Sequence, residues 1–75
     1  MTMKSIRKYR RIPFVKRGMR VFSTYKNKFG VICGANCSGN LNIRFEGETF
    51  SENCHPHWML QYFDKNNNVI AEYGG

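Results

Sequence analysis

A chain of 75 residues with a formal net charge of +7 has room for one small domain with a thin core, which argues against an elaborate enzyme active site. Aromatic residues form 15% of the chain, so large rings offset the shortage of core positions and the composition favours folding over disorder. Cys33, Cys37 and Cys54 are odd in number, which excludes a fully paired disulfide framework within one chain.

The charge is unevenly placed. Lys4, Arg7, Lys8, Arg10, Arg11, Lys16, Arg17 and Arg20 put eight of the twelve basic residues in the first 20 positions, with no acid among them. The rest of the chain holds Lys26, Lys28, Arg44 and Lys65 against Glu46, Glu48, Glu52, Asp64 and Glu72, one more acid than base. A basic block of this kind attracts phosphate or an acidic protein surface, and it reads as an interaction segment. Ile6, Tyr9 and Ile12 are separated by charge, so neither a secretory h-region nor a membrane span is expected, and a reducing cytoplasm is the expected compartment. A mitochondrial leader would share the basic, acid-free start, but only Thr2 and Ser5 supply its usual hydroxyls.

In chain order, residues 1–17 read as a basic arm and residues 18–75 as a β-rich domain. Met3, Ile6, Tyr9 and Ile12 recur every three residues, which gives a helix only a narrow, drifting stripe, and Pro13 would stop that helix. The arm is therefore expected to be flexible or ordered on binding; the bland alternative is a solvated tail that keeps a small protein soluble.

The domain is organised around residues 15–47. There, Arg20, Phe22 and Thr24 alternate with Met19, Val21 and Ser23, so Phe22 is expected to be covered by something outside the main core. A turn over residues 25–30 leads into Val31-Ile32-Cys33-Gly34-Ala35, a continuous apolar run that fits a strand packed on both sides or crossed closely at Gly34. Leu41-Asn42-Ile43-Arg44-Phe45-Glu46 alternates apolar and polar residues, as a half-buried strand requires. A tight turn at Glu46-Gly47 predicts a further strand over Glu48-Thr49-Phe50-Ser51. Residues 52–58 break the period, and a short turn around Pro56 would fold Trp58 back as a plug on an open barrel end. Residues 59–64 and 69–73 flank Lys65-Asn66-Asn67-Asn68, a last hairpin whose asparagines tolerate positive φ.

Val15-Lys16-Arg17-Gly18-Met19-Arg20-Val21, then Phe29-Gly30-Val31-Ile32, then Leu41-Asn42-Ile43-Arg44-Phe45 together resemble the KOW-type SH3-like barrel. The stretch from Cys54-His55-Pro56-His57-Trp58 to Tyr73 also resembles small barrels encoded by phages and prophages, in which an HP-x-W turn precedes the last hairpin. The resemblance covers about residues 15–73. It implies a five- or six-stranded antiparallel barrel that contacts RNA, the ribosome or RNA polymerase through loop residues, and here it points to Tyr25, Lys26, Asn27, Lys28 and Phe29. The chain lacks the dense basic cluster that the longer family pattern carries after the second strand, which shifts the expected contact toward the arm.

The expectation is a non-enzymatic module, in the host cytoplasm if phage-encoded, that binds nucleic acid or a nucleic-acid machine. Its contacts are expected from Lys4, Arg7, Lys8, Tyr9, Arg10, Arg11, Lys16, Arg17 and Arg20, assisted by Tyr25, Lys26, Lys28 and Phe29. Lys and Arg neutralise phosphates and release counterions, while Tyr9, Tyr25 or Phe29 could stack on an unpaired base. Core or rim packing is the plainer role for Tyr25 and Phe29. The competing class is a small phage-type factor that docks on an acidic host-protein surface and inhibits or redirects it, a role that exposed aromatics such as Phe22 would favour.

Two other chemistries are weaker. Cys33, Cys37, Cys54 and His57 can be read as C-x3-C followed by C-x2-H, donors that suit zinc, but the cysteine spacing is wider than a zinc knuckle's and Cys33 lies in an apolar run, where burial is expected. Cys54 beside His55 suggests a nucleophile and base, yet adjacent residues on an extended chain point apart. No cofactor is expected.

Overall fold

The computed structural model describes residues 1–74. Its first element is helix α1 (Met3–Tyr9). The Thr2 hydroxyl accepts the Ser5 N–H at 3.1 Å while the Ser5 hydroxyl accepts the Thr2 N–H at 3.0 Å, a capping box that satisfies two donors the helix leaves unpaired. The helix is capped at Arg10, and the next residue, Arg11, adopts φ 57°. From there the N–H groups of Arg11 and Ile12 reach back to the Lys8 and Arg7 carbonyls at 3.3 and 2.9 Å. This is a Schellman turn with arginine where glycine usually sits. It stops the helix before Pro13, the residue expected to stop it, and swings the chain back toward the sheet.

Residues 1–17, expected as a flexible arm, instead pack onto that sheet. Ile6, Ile12 and Val15 are buried in the same apolar cluster as Val21, Ile32, Ile43 and Tyr62. Each fully buried aliphatic side chain contributes about 1.5–3 kcal/mol, enough to hold a basic segment against its own charge repulsion.

The strands are β1 (Arg20–Ser23), β2 (Lys28–Ala35), β3 (Leu41–Phe45), β4 (Glu52–Cys54), β5 (Leu60–Phe63) and β6 (Val69–Tyr73). They form one sheet in the order β4-β3-β2-β1-β5-β6, with every neighbouring pair antiparallel. No rung joins β4 to β6 among the described residues, so the sheet is not closed. The fold is a small all-β, SH3-like arrangement with one short helix packed against it.

Alternation decides which residues face the core. β3 buries Leu41, Ile43 and Phe45 and turns Arg44 outward, as its period predicts. β2 corrects the expectation of a strand packed on both sides. Ile32 points inward, while Val31 and Cys33 are exposed on the outer face, because a regular pleat overrides a continuous apolar run. The close crossing expected at Gly34 lies at Gly30. A Cβ on Gly30 would sit 2.8 Å from both Ile43 Cγ2 and Phe45 Cδ1, whereas one on Gly34 would meet only the Arg17 guanidinium at 3.6 Å. Gly34 instead follows a bulge that shifts the register with β3.

Two further expectations are corrected. The strand predicted over residues 48–51 forms later, at β4, because Gly47 turns the chain with φ 80° and pairing resumes only where Glu52 meets Ile43. Trp58 does not plug the core: it is 47% exposed. Pro56 is the buried residue of that turn, and Tyr62, inside the sheet, donates its hydroxyl to the Pro56 carbonyl at 2.6 Å. The β5–β6 hairpin forms as predicted, with Asn67 at φ 65° and the Asp64 carboxylate accepting the N–H groups of Asn66 and Asn68 at 2.8 and 2.9 Å.

Candidate nucleic-acid interface

The outer face of the sheet carries a packed row of rings. Phe22 and Phe29 are cross-strand partners with ring centroids 4.7 Å apart, and Phe29 lies 5.7 Å from Phe63 on the far side of β1. Phe22 thus gains the cover outside the core that its position demands. Above this row the Arg20 guanidinium rests 4.0 Å from the Phe29 ring centroid. Its Nη1 donates to the Asn67 side-chain oxygen at 3.2 Å, so the β5–β6 turn holds the cation over the ring.

Arg20 stands between two grooves. One, of about 580 Å³, is lined by Phe14, Lys16, Arg17, Phe63, Lys65 and Ile70 among others. The second, of about 430 Å³, is lined by Phe29, Val31, Arg44 and the turn that begins at Phe45. None of Lys16, Arg17, Arg20, Arg44 and Lys65 forms an ion pair among the described residues. Of the acids that line the grooves, Glu48 accepts from Lys26, Asp64 is held ionised chiefly by the Asn68 backbone N–H, and Glu46 lies exposed beside Arg44 in the second groove. Around the first groove Lys16, Arg17, Arg20 and Lys65 outnumber Asp64 and create a positive field, whereas in the second Arg20 and Arg44 share the rim with Glu46 and Glu48.

The sequence-predicted residues divide three ways. Lys16, Arg17, Arg20 and Phe29 gather at the grooves. Lys4, Lys8 and Arg11 are exposed on α1 and its terminal turn. Arg7 and Arg10 turn inward, with Arg7 Nε donating to the Val15 carbonyl at 2.6 Å and Arg10 Nε to the Gly39 carbonyl at 2.7 Å. Tyr9 lies over Gly39, where its ring leaves no space for a Cβ.

The first-loop residues do not act as one surface. Tyr25 packs against Trp58 with the rings tilted by 50° and their centroids 4.9 Å apart. Lys26 is held between Glu52 at 2.7 Å and Glu48 at 3.2 Å, and Lys28 reaches Glu48 at 4.0 Å. Hydrogen bonds that Lys26 donates to Glu52 and then to Glu48 raise its ammonium above its ordinary pKa, and Lys26 in turn lowers Glu52. Phe29 belongs to the sheet face instead. Sequence reading missed Arg44, Lys65, Phe14 and Phe63. The outward position of Arg44 in the alternating β3 run was the available signal.

No three His, Cys, Asp or Glu side chains converge on a metal-sized site among the described residues. Cys33, expected to be buried, is exposed, as is Cys37, and the most enclosed thiol is Cys54. Burial pushes the Cys54 thiol up to about 11, the opposite of what a thiolate nucleophile needs. No helix of the described residues is long and apolar enough to cross a membrane. No family model matches the chain, and comparison with curated proteins and with solved structures likewise yields no match.

Proposed function

We propose that this chain is a non-enzymatic, SH3-like module of the kind its KOW resemblance implies, and that it binds nucleic acid through the paired grooves of the sheet face. The observation that carries this reading is the Arg20–Phe29 contact flanked on one side by Lys16, Arg17 and Lys65, none of them in an ion pair among the described residues, and on the other by Arg44. Cations over the grooves neutralise phosphates and release their counterions, a term that supplies affinity without sequence preference. The nucleic acid is free or part of a larger machine such as a ribosome, an RNA polymerase or another nucleoprotein complex. Exposed thiols at Cys33 and Cys37 suit a reducing cytoplasm, that of the host if the chain is phage-encoded.

The test is a salt series of binding to random-sequence nucleic acid. Wild type is expected to lose affinity steeply from low to moderate salt, and a variant carrying Arg17→Gln, Arg20→Gln and Arg44→Gln to bind weakly with a flatter slope. Salt-insensitive or absent binding by the wild type overturns the reading. Truncation of the first 14 residues is unsuitable, because it removes Ile6 and Ile12 from the core.

A second reading rests on a separate observation. Phe50 is 81% exposed, and Tyr25 and Trp58 are also exposed, as docking anchors for a protein partner are. Under that reading Phe50→Ser and Trp58→Ala abolish capture of the partner from nuclease-treated lysate while leaving the salt series unchanged.

A further inference from the structure

We propose that the nucleic acid bound by this face is single-stranded, with a base seated on the outer plane of the Arg20 guanidinium. This rests on the nucleic-acid reading above and narrows it. Reading a duplex requires a helix or a two-stranded ribbon that projects basic side chains into a groove about 12 Å wide. The chain's helix is ill suited to that task. It spans seven residues, it is anchored to the core through Ile6, and its own Arg7 and the capping Arg10 spend their guanidinium groups on the backbone carbonyls of Val15 and Gly39.

The sheet face has the features a single strand uses. Unpaired bases stack on aromatic rings and on guanidinium planes, while flanking cations follow the phosphates. Arg20 presents such a group already in place: its guanidinium carbon sits 4.0 Å from the Phe29 ring centroid, Nη1 is held by Asn67, and the residue is exposed. Phe29 is itself fixed by Phe22 and Phe63. Ordering these groups before the ligand arrives removes an entropic cost of binding. The grooves on either side fall within the range of about 300–1,000 Å³ typical of small-ligand clefts, so each accommodates a nucleotide next to the stack. Phosphates are drawn chiefly to the side of Lys16, Arg17 and Lys65, because on the other side Arg44 is accompanied by Glu46 and Glu48.

The experiment compares full-length wild type with Arg20→Lys, Asn67→Gly and Arg44→Gln by fluorescence anisotropy. The probes are labelled oligo(dT), oligo(rU) and a mixed-sequence duplex of the same length, at several salt concentrations, with a thermal melt of each variant. Wild type is expected to bind at least one single strand about tenfold or more tighter than the duplex, and the ratio of the two single strands identifies the preferred sugar. Arg20→Lys keeps the charge and removes the plane, so single-strand affinity falls about fivefold or more at an unchanged salt slope. Asn67→Gly keeps the guanidinium but frees it, and the loss is smaller. Arg44→Gln flattens the slope by about 0.7. Duplex binding equal to or tighter than single-strand binding overturns the proposal and leaves the nucleic-acid reading standing. So does full single-strand affinity in folded Arg20→Lys. Binding to none of the probes overturns both.

Discussion

The grooved sheet face and the loop end around Tyr25 use the same kinds of residue, cations, carboxylates and rings, and combine them in opposite ways. At the loop end the carboxylates of Glu48 and Glu52 enclose the Lys26 ammonium, while Tyr25, Phe50 and Trp58 stand exposed. On the sheet face the cations have no acidic partners among the described residues, and the rings of Phe22, Phe29 and Phe63 pack on one another. Pairing therefore matters more than position in the chain. Lys26 carries the same formal charge as Arg44, yet of the two only Arg44 is free of an ion pair among the described residues. Exposed ion pairs are worth about 0–1 kcal/mol, so the consequence of the Lys26 cluster is local neutrality more than stability.

The comparison assumes that one core holds both regions, and the largest expected effect tests that assumption. Ile6→Ala removes a fully buried side chain where helix α1 meets the sheet and is expected to cost about 2–5 kcal/mol in chemical denaturation. A change below about 0.5 kcal/mol, the level usual for surface positions, would return residues 1–17 to the status of an arm and detach Lys16 and Arg17 from the fixed face. Gly30→Ala should destabilise by about 1–3 kcal/mol through overpacking, because its methyl group meets Ile43, Phe45 and the Arg44 carbonyl oxygen at 3.0 Å or less.

Next in size is the division of labour itself. The Arg17→Gln, Arg20→Gln, Arg44→Gln variant should lose about tenfold or more in affinity for nucleic acid at low salt, as expected when several phosphate contacts are removed together. Phe50→Ser with Trp58→Ala should remain within about twofold of wild type, since neither residue adds charge to the grooves. Equal losses in the two variants would mean that the nucleic acid spans both regions and would end the distinction.

How much of this was legible in the sequence depends on the range of the interaction involved. β3 and the β5–β6 hairpin were legible because their signals are local: strict alternation in residues 41–45, and asparagines able to take the φ of 65° found at Asn67. Helix α1 was misread because its apolar residues are spaced three apart and its terminal turn uses Arg11 where a glycine would have announced it. Cys33 was misread because Val31 and Ile32 extend the apolar run, and the pleat that turns Cys33 outward is invisible to composition. The candidate site was legible only as a basic excess. Which cations are neutralised is a tertiary matter, since Lys26 meets Glu48 and Glu52 only after β1–β2 and β3–β4 have formed. Arg20 likewise meets Asn67 across 47 positions.

A smaller effect sharpens the role of the N-terminal segment. Arg11 holds a left-handed conformation that disfavours every residue except glycine and, more weakly, asparagine. Arg11→Gly is expected to stabilise the protein by about 0.5–1 kcal/mol by relieving that conformation. Because Arg11 lies outside both grooves, the substitution should leave single-strand affinity nearly unchanged. A large affinity loss would extend the binding face onto α1.

The smallest expected effect is a pH dependence at the turn that joins β4 to β5 and touches the end of α1. His57 donates its backbone N–H to His55 Nδ1 at 3.1 Å, and its ring Nε2 lies 2.8 Å from the Arg10 carbonyl oxygen. A carbonyl only accepts, so Nε2 of His57 carries a hydrogen, and Nδ1 of His55 must be unprotonated to accept. Desolvation, with Arg10 and His57 nearby, lowers the His55 pKa below its ordinary value. The folded protein therefore favours the neutral imidazole. That preference contributes its full stability above the unfolded-state pKa, near 6.5, and is lost as pH falls from there through the depressed folded-state value. Thermal melts should show a slight decline in Tm from pH 7 to pH 5 that His55→Gln removes, because glutamine keeps a side-chain acceptor and does not titrate in this range. A decline of the same size in His55→Gln would assign the titration to another group and leave the turn without a pH-sensitive hold on Arg10.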